Sequence, residues 1–271
     1  MHLKRWITGL IALPFLIFLV YLGGLPFFVL VGSAAVCSLW EYFRIVFNAE
    51  RRMLSSIIVW WGYPAGLLIL GAAHFAGPGT VVLVLALNLV CVGLFSVFIY
   101  KSNPLVGEIV QKQVQGMVYI PLLLSFLVMM RREPDGMVWI FFLLGIIFAG
   151  DTSAYYVGSY LGRHKLNPAI SPGKTIEGLL GGLFGSILGA VIVCLWFFPG
   201  YSLVKISTLT VFLSMIGVMG DLTESMIKRT MGVKDSGNIL PGHGGVLDRL
   251  DSLMIAAPVL FYMLHFSIIS F

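Results

Sequence analysis

Four aspartates, Asp151, Asp221, Asp248 and Asp251, stand within long apolar runs or at their ends, where a carboxylate is costly to keep. Asp221 and Glu224 are three residues apart, and so are Asp248 and Asp251, so within a helix each pair shares one face. The stretch KDSGNILPGHGGVLDRLD, from Lys234 to Asp251, gathers ionisable side chains among four glycines and a proline. Three or four converging carboxylates repel one another unless a cation sits among them. Oxygen ligands with no cysteine nearby favour Mg²⁺ or Mn²⁺ over zinc, and a second cation at such a cluster stays open. Lys228, Arg229, Lys234, His243 and Arg249 surround the acidic groups. Magnesium held by one or two carboxylates plus substrate phosphates is the usual division of labour. Gly244 and Gly245 offer backbone N–H groups to phosphate oxygens just before a helix start. Taken alone, Arg229 or Glu224 reads nearly as well as half of an interfacial salt bridge. Together the residues describe a place for a metal and a polyphosphate.

A second basic segment, GRHKLNPAISPGKTIEGLLGG, ends in a GKT like that of a phosphate-binding P-loop. That motif requires glycine at 168, where this chain has Pro168, and no strand is expected before it, so the P-loop is excluded. What remains is a turn opened by Ser171 and Pro172, the charge of Lys174, and a helix expected from about Thr175, whose N-terminus attracts anions. Gly178, Gly181, Gly182, Gly185 and Gly189 beyond it recur at helical spacing and predict close helix packing.

The elements that must position these groups follow from composition. Of 271 residues, 59% are hydrophobic and 11% charged, against roughly 25% charged in soluble domains. The apolar runs are about 20 residues long, enough to cross a ~30 Å hydrocarbon core as helices. The predicted fold is therefore all-α: a polytopic membrane protein with spans near residues 7–21, 26–47, 54–75, 80–100, 114–130, 138–161, 176–198, 203–227 and 246–271. It reads as one membrane domain over 1–271, with spans of unassigned role in 1–135 and a catalytic half in 136–271. MHLKR at the start resembles the front of a signal peptide, but no small-residue cleavage site follows, so a retained anchor is expected. With the N-terminus in the cytoplasm and nine spans, fourteen of the 17 lysines and arginines fall on the cytoplasmic side. Arg131, Arg132 and Lys205 fall opposite. The net charge of +5 is thus one-sided and calls for no nucleic-acid partner. Cys37, Cys91 and Cys194 lie in apolar runs without CxxC spacing and read as buried thiols.

The stretch from Ser225 to Asp251 resembles the phosphatidate cytidylyltransferase (CDP-diacylglycerol synthase) family. Ser225, Lys228, Arg229, Lys234 and Asp235 match its signature, followed by Gly237, Leu240, Pro241, His243, Gly244 and Gly245, then Val246, Asp248, Arg249, Leu250 and Asp251. SPGKTIEG and GDTSAYYVG resemble upstream family segments, although Gly173 is less basic than the usual residue there. The resemblance covers Gly150–Asp251; the first five spans match only in being hydrophobic. It implies that CTP and phosphatidic acid, with Mg²⁺, give CDP-diacylglycerol and pyrophosphate at the cytoplasmic face, amid membrane lipid. It is compatible with a homodimer. The implied roles are metal binding for Asp221, Asp248 and Asp251, with Asp151 on the metal or beside its ligands. Lys174, Lys228, Lys234, His243 and Arg249 would contact phosphates, with Ser171, Thr175, Arg229, Gly244 and Gly245 in support. Rival expectations are a CTP-dependent lipid kinase, which would gain from a base for its alcohol, and a phosphate or nucleotide transporter, which the uneven span pattern disfavours.

Overall fold

Apolar runs with few polar side chains satisfy their backbone groups internally, and helices do this within a single segment. The computed structural model describes residues 2–197, 202–239 and 244–268, and helices run through all nine predicted spans. Among the described residues seven helices are long and apolar enough to cross a membrane, so the chain is an all-α, multi-pass membrane protein. It divides into two compact units, Met1–Arg132 with Thr230–Asp248, and Glu133–Arg229 with Arg249–Phe271. One segment of the predicted catalytic half, Thr230–Asp248, thus belongs with the N-terminal helices.

In the first unit, α1 (His2–Leu22) turns at Gly23 into α2 (Gly24–Val46). Gly23 has φ +62°, a left-handed conformation, and any side chain there would run into the guanidinium of Arg131. Then come α3 (Ile57–Phe75), α4 (Pro78–Ile99), α5 (Val106–Met117) and α6 (Leu123–Met130). Pro121 has no N–H to donate, and the chain passes it in a π turn over Val118–Leu122. Leu39, Tyr42 and Phe43 of α2 form the centre of this core, because glycines on facing helices leave room for them. A Cβ at Gly116 would stand 2.8 Å from the Tyr42 ring, and one at Gly62 3.0 Å from Phe43. Asn88 and Gln113, both buried, exchange amide hydrogen bonds of 3.3 and 3.0 Å between α4 and α5.

Arg131 and Arg132, two of the three basic residues expected opposite the cytoplasmic side, have a structural task. Arg131 donates to the carbonyls of Val20 (3.0 Å) and Tyr21 (3.1 Å), and Arg132 to those of Ala73 (3.2 Å) and His74 (2.7 Å). These carbonyls lie in the last turns of α1 and α3, where no intrahelical partner exists and a cation is favoured.

The second unit begins with α7 (Gly136–Leu161) and continues through β1 (Lys165–Asn167), β2 (Ser171–Thr175), α8 (Ile176–Phe197) and α9 (Leu203–Thr230). It closes with α10 (Leu247–His265) from Arg249 onward. The glycines of α8 pack closely against α7, as predicted. A Cβ at Gly181 would lie 2.5 Å from Val157, one at Gly189 2.9 Å from Ala149, and one at Gly185 would collide with Ser153. The basic loop before α8 was expected to be irregular. Instead it is an antiparallel hairpin, with Lys165 opposite Thr175 and Asn167 opposite Ser171. Glu177 holds its base, accepting from the amides of Arg163 (3.0 Å) and His164 (3.2 Å) and meeting His164 Nδ1 at 2.6 Å.

Candidate active site

In the second unit three distant aspartates share one electrostatic neighbourhood. Asp151 is carried by α7, Asp221 by α9 and Asp251 by α10, and their charges act on one another. Close packing brings two of them together: a Cβ at Gly220 would stand 2.6 Å from the Asp251 carbonyl, so α10 lies directly on the α9 backbone. The hairpin delivers Lys174, which pairs with Asp221 Oδ2 and opposes the charge of Asp151 and Asp251 as well. Arg249 also acts on Asp151. Ser225 Oγ donates to Asp221 Oδ1 (3.4 Å), and the Ser252 amide donates to Asp251 Oδ1 (2.6 Å). A cavity of about 40 Å³ touches Asp151 and is lined also by Ser186, Ser214 and Ser252.

Other predicted residues of this unit make contacts within it. Lys228 donates to Glu224 (2.9 Å) in a buried pair one turn apart on α9. Arg229 donates to the Ile170 carbonyl (3.2 Å), tying α9 to the hairpin. Thr175 is buried, and its hydroxyl accepts from the Gly178 amide (3.1 Å), which caps α8. Ser171 and Lys174 stand on β2, both partly exposed.

In the first unit the segment after α9 is organised by a residue that sequence reasoning missed. Glu41 of α2 is fully buried. Its carboxylate accepts from Ser236 Oγ (3.3 Å), the Val246 amide (3.1 Å) and the Leu247 amide (2.8 Å). Gly237 and Gly245 are glycines because any Cβ would strike that carboxylate or the Ser236 hydroxyl. Asp248 completes the arrangement, its Oδ2 accepting from the amides of Ser236 (3.3 Å) and Gly245 (3.1 Å). The predicted phosphate donor Gly245 therefore gives its N–H to Asp248. Gly244 adopts φ +83°, and Lys234 is exposed. His243 lies outside the described residues. The signal for Glu41 was present: it is an ionisable residue inside an apolar run, the same property that singles out Asp151.

The second-unit cluster fits a hard divalent cation in kind. Its donors are carboxylate oxygens, Lys174 acts on all three and Arg249 on Asp151, and Ser214 Oγ, in the wall of the same cavity as Asp151, is buried with no hydrogen-bond partner among the described residues. Among those residues no three acidic, histidine or cysteine side chains close on a single point.

The sequence profile of the cytidylyltransferase family matches residues 3–267. The chain is 34% identical over 265 residues to the phosphatidate cytidylyltransferase of Bacillus subtilis, covering 96% of this chain and 97% of that protein. It is 34% identical over 263 residues to the protein of the same name from Staphylococcus aureus, covering 94% and 96%. A shorter match to the one from Staphylococcus saprophyticus reaches 43% over 137 residues, about half of each chain. The likeness therefore extends through the first five spans as well as Gly150–Asp251, and the chain belongs to the cytidylyltransferase family.

Proposed function

We propose that the chain is a phosphatidate cytidylyltransferase, a Mg²⁺-dependent enzyme working at the cytoplasmic membrane face in phospholipid synthesis. The observation that carries this reading is the ion pair of Lys174 with Asp221 in one electrostatic neighbourhood with Asp151 and Asp251, from four separate elements. In the reaction a phosphate oxygen of phosphatidic acid attacks the α-phosphorus of CTP. A new P–O bond forms, the bond between the α-phosphorus and its bridging oxygen to the β-phosphorus breaks, and pyrophosphate leaves with that oxygen. A phosphate monoester has its second pKa near 6, so the nucleophile is largely ionised at pH 7 and no strong base is needed. Charge neutralisation and in-line alignment are what the protein must supply.

Asp151, Asp221 and Asp251 are the residues that would hold Mg²⁺, with Mn²⁺ as the alternative. Bound there, the cation would neutralise phosphate charge and polarise the phosphoryl group. Lys174 would exchange its carboxylate partner for substrate phosphate, and Arg249 would add positive charge around the polyphosphate. Lys228 and Arg229 would act through Glu224 and the hairpin. Asp248 would hold the glycine-rich segment in register.

The test follows the label. Purified protein in detergent receives phosphatidic acid, Mg²⁺ and CTP labelled at the α- or the γ-phosphorus. Entry of the α label alone into lipid, with pyrophosphate released, is the expected outcome. Entry of the γ label into an added lipid alcohol would mean a kinase, and no label in lipid would overturn the proposal.

A further inference from the structure

Two adjoining cavities in the first unit differ in chemistry. One, of about 840 Å³, is lined by Arg44 of α2 and Asn48 just beyond it, by Trp60 and Tyr63 of α3, and by Asp235 and Asn238 of the segment after α9. The other, of about 560 Å³, is almost wholly apolar, with Val36, Cys37 and Pro64 in its walls. Trp40, Trp60, Tyr63 and Ile239 line both. Each volume lies within the ~300–1,000 Å³ usual for small-molecule sites. The Arg44 guanidinium lies 4.4 Å from the centroid of the Trp40 ring. Stacking of this kind fixes the plane of the guanidinium and leaves its N–H edge for a phosphate.

We infer that these joined cavities are the seat of the anionic diacyl phospholipid, with its phosphate end at Arg44 and one acyl chain in the apolar groove. A nucleotide would find aromatic walls here but no use for the apolar extension, whereas an amphiphile uses both halves. The polar half is also lined by Asp235–Asn238, inside the stretch that resembles the family signature. The inference rests on phosphatidic acid being the substrate.

The experiment is photolabelling of the full-length protein by phosphatidic acid bearing a diazirine in one acyl chain, followed by peptide mapping. Label on the peptides of Trp40, Trp60 and Tyr63, competed by phosphatidic acid and not by phosphatidylcholine, is expected. Cys37→Trp, which fills the groove, should reduce labelling and raise KM for phosphatidic acid on the order of tenfold, equivalent to ~1.4 kcal/mol of binding, with KM for CTP unchanged. Arg44→Ala lies outside the packed core and should raise the same KM, so the test survives if the tryptophan variant does not fold. Label elsewhere, equal competition by phosphatidylcholine, or competition by CTP alone would overturn the inference even while α label enters lipid. Failure of wild-type protein to move α label would strike the enzymatic reading instead, and the labelling map would still decide whether the groove holds this lipid.

Discussion

Glu41 in the first unit and the aspartates of the second are both carboxylates in apolar surroundings, and the protein treats them in opposite ways. Glu41 is enclosed by three donors that share no net charge, and glycines at 237 and 245 are cut to its shape. It acts as a remote cap for the first turn of α10 and as a clamp on the segment before it. Asp151, Asp221 and Asp251 are instead left near one another, with Lys174 paired to Asp221 and Arg249 nearby. A buried charge satisfied by fixed dipoles builds structure. A surplus of like charge is relieved when a cation or a protonation completes it, and on the proposed function that surplus is where Mg²⁺ and substrate would bind.

The contrast can be broken most severely at the aspartates. Asp221→Asn and Asp251→Asn should each lower turnover by ~10²-fold or more, the scale seen when one electrostatic transition-state contact is lost. Asp251→Asn should not lower thermal stability without metal, since it relieves repulsion, whereas Asp221→Asn also removes a partner of Lys174; both should lose the Mg²⁺-dependent rise in melting temperature expected of wild type. A variant that melts early and still turns over normally would reverse the assignment.

Glu41 should show the reverse pattern. Glu41→Ala leaves the Val246 and Leu247 amides without their acceptor, each orphaned group costing ~1–3 kcal/mol, so thermal unfolding should come earlier with or without Mg²⁺. Glu41→Gln keeps an acceptor and should recover much of that loss. Turnover should fall through kcat, with the KM values little changed. If Glu41→Ala unfolds like wild type, the clamp is not structural.

The smallest effect belongs to Arg131. Arg131→Ala removes two hydrogen bonds to the end of α1 and should cost ~0.3–1 kcal/mol, read as a modest shift in melting with no change in CMP transfer. A large loss of activity there would mean that the end of α1 is coupled to the chemistry.

Much of this was legible in the residues. Runs of apolar side chains dictated helices, the small residues of α8 dictated its close approach to α7, and the family signature pointed to the reaction. Asp151 and Asp221 could be suspected because charge at such depth needs a reason. The hairpin carrying Lys174 was not legible, because Ser171–Thr175 contains proline and glycine and has only Thr175 as a branched residue; Glu177 and the α8 cap hold it in place.

By itself the sequence determined that the chain is helical, that it crosses a membrane repeatedly, and which residue types could meet phosphate and metal. These depend on local periodicity and on chemistry that each side chain carries anywhere. Tertiary structure alone decided which carboxylates are consumed and which are left in surplus, since that depends on donors arriving from residues up to 206 positions away. Glu41 and Asp221 look alike in the sequence; the amides that meet the one and the lysine that meets the other are brought there only by packing.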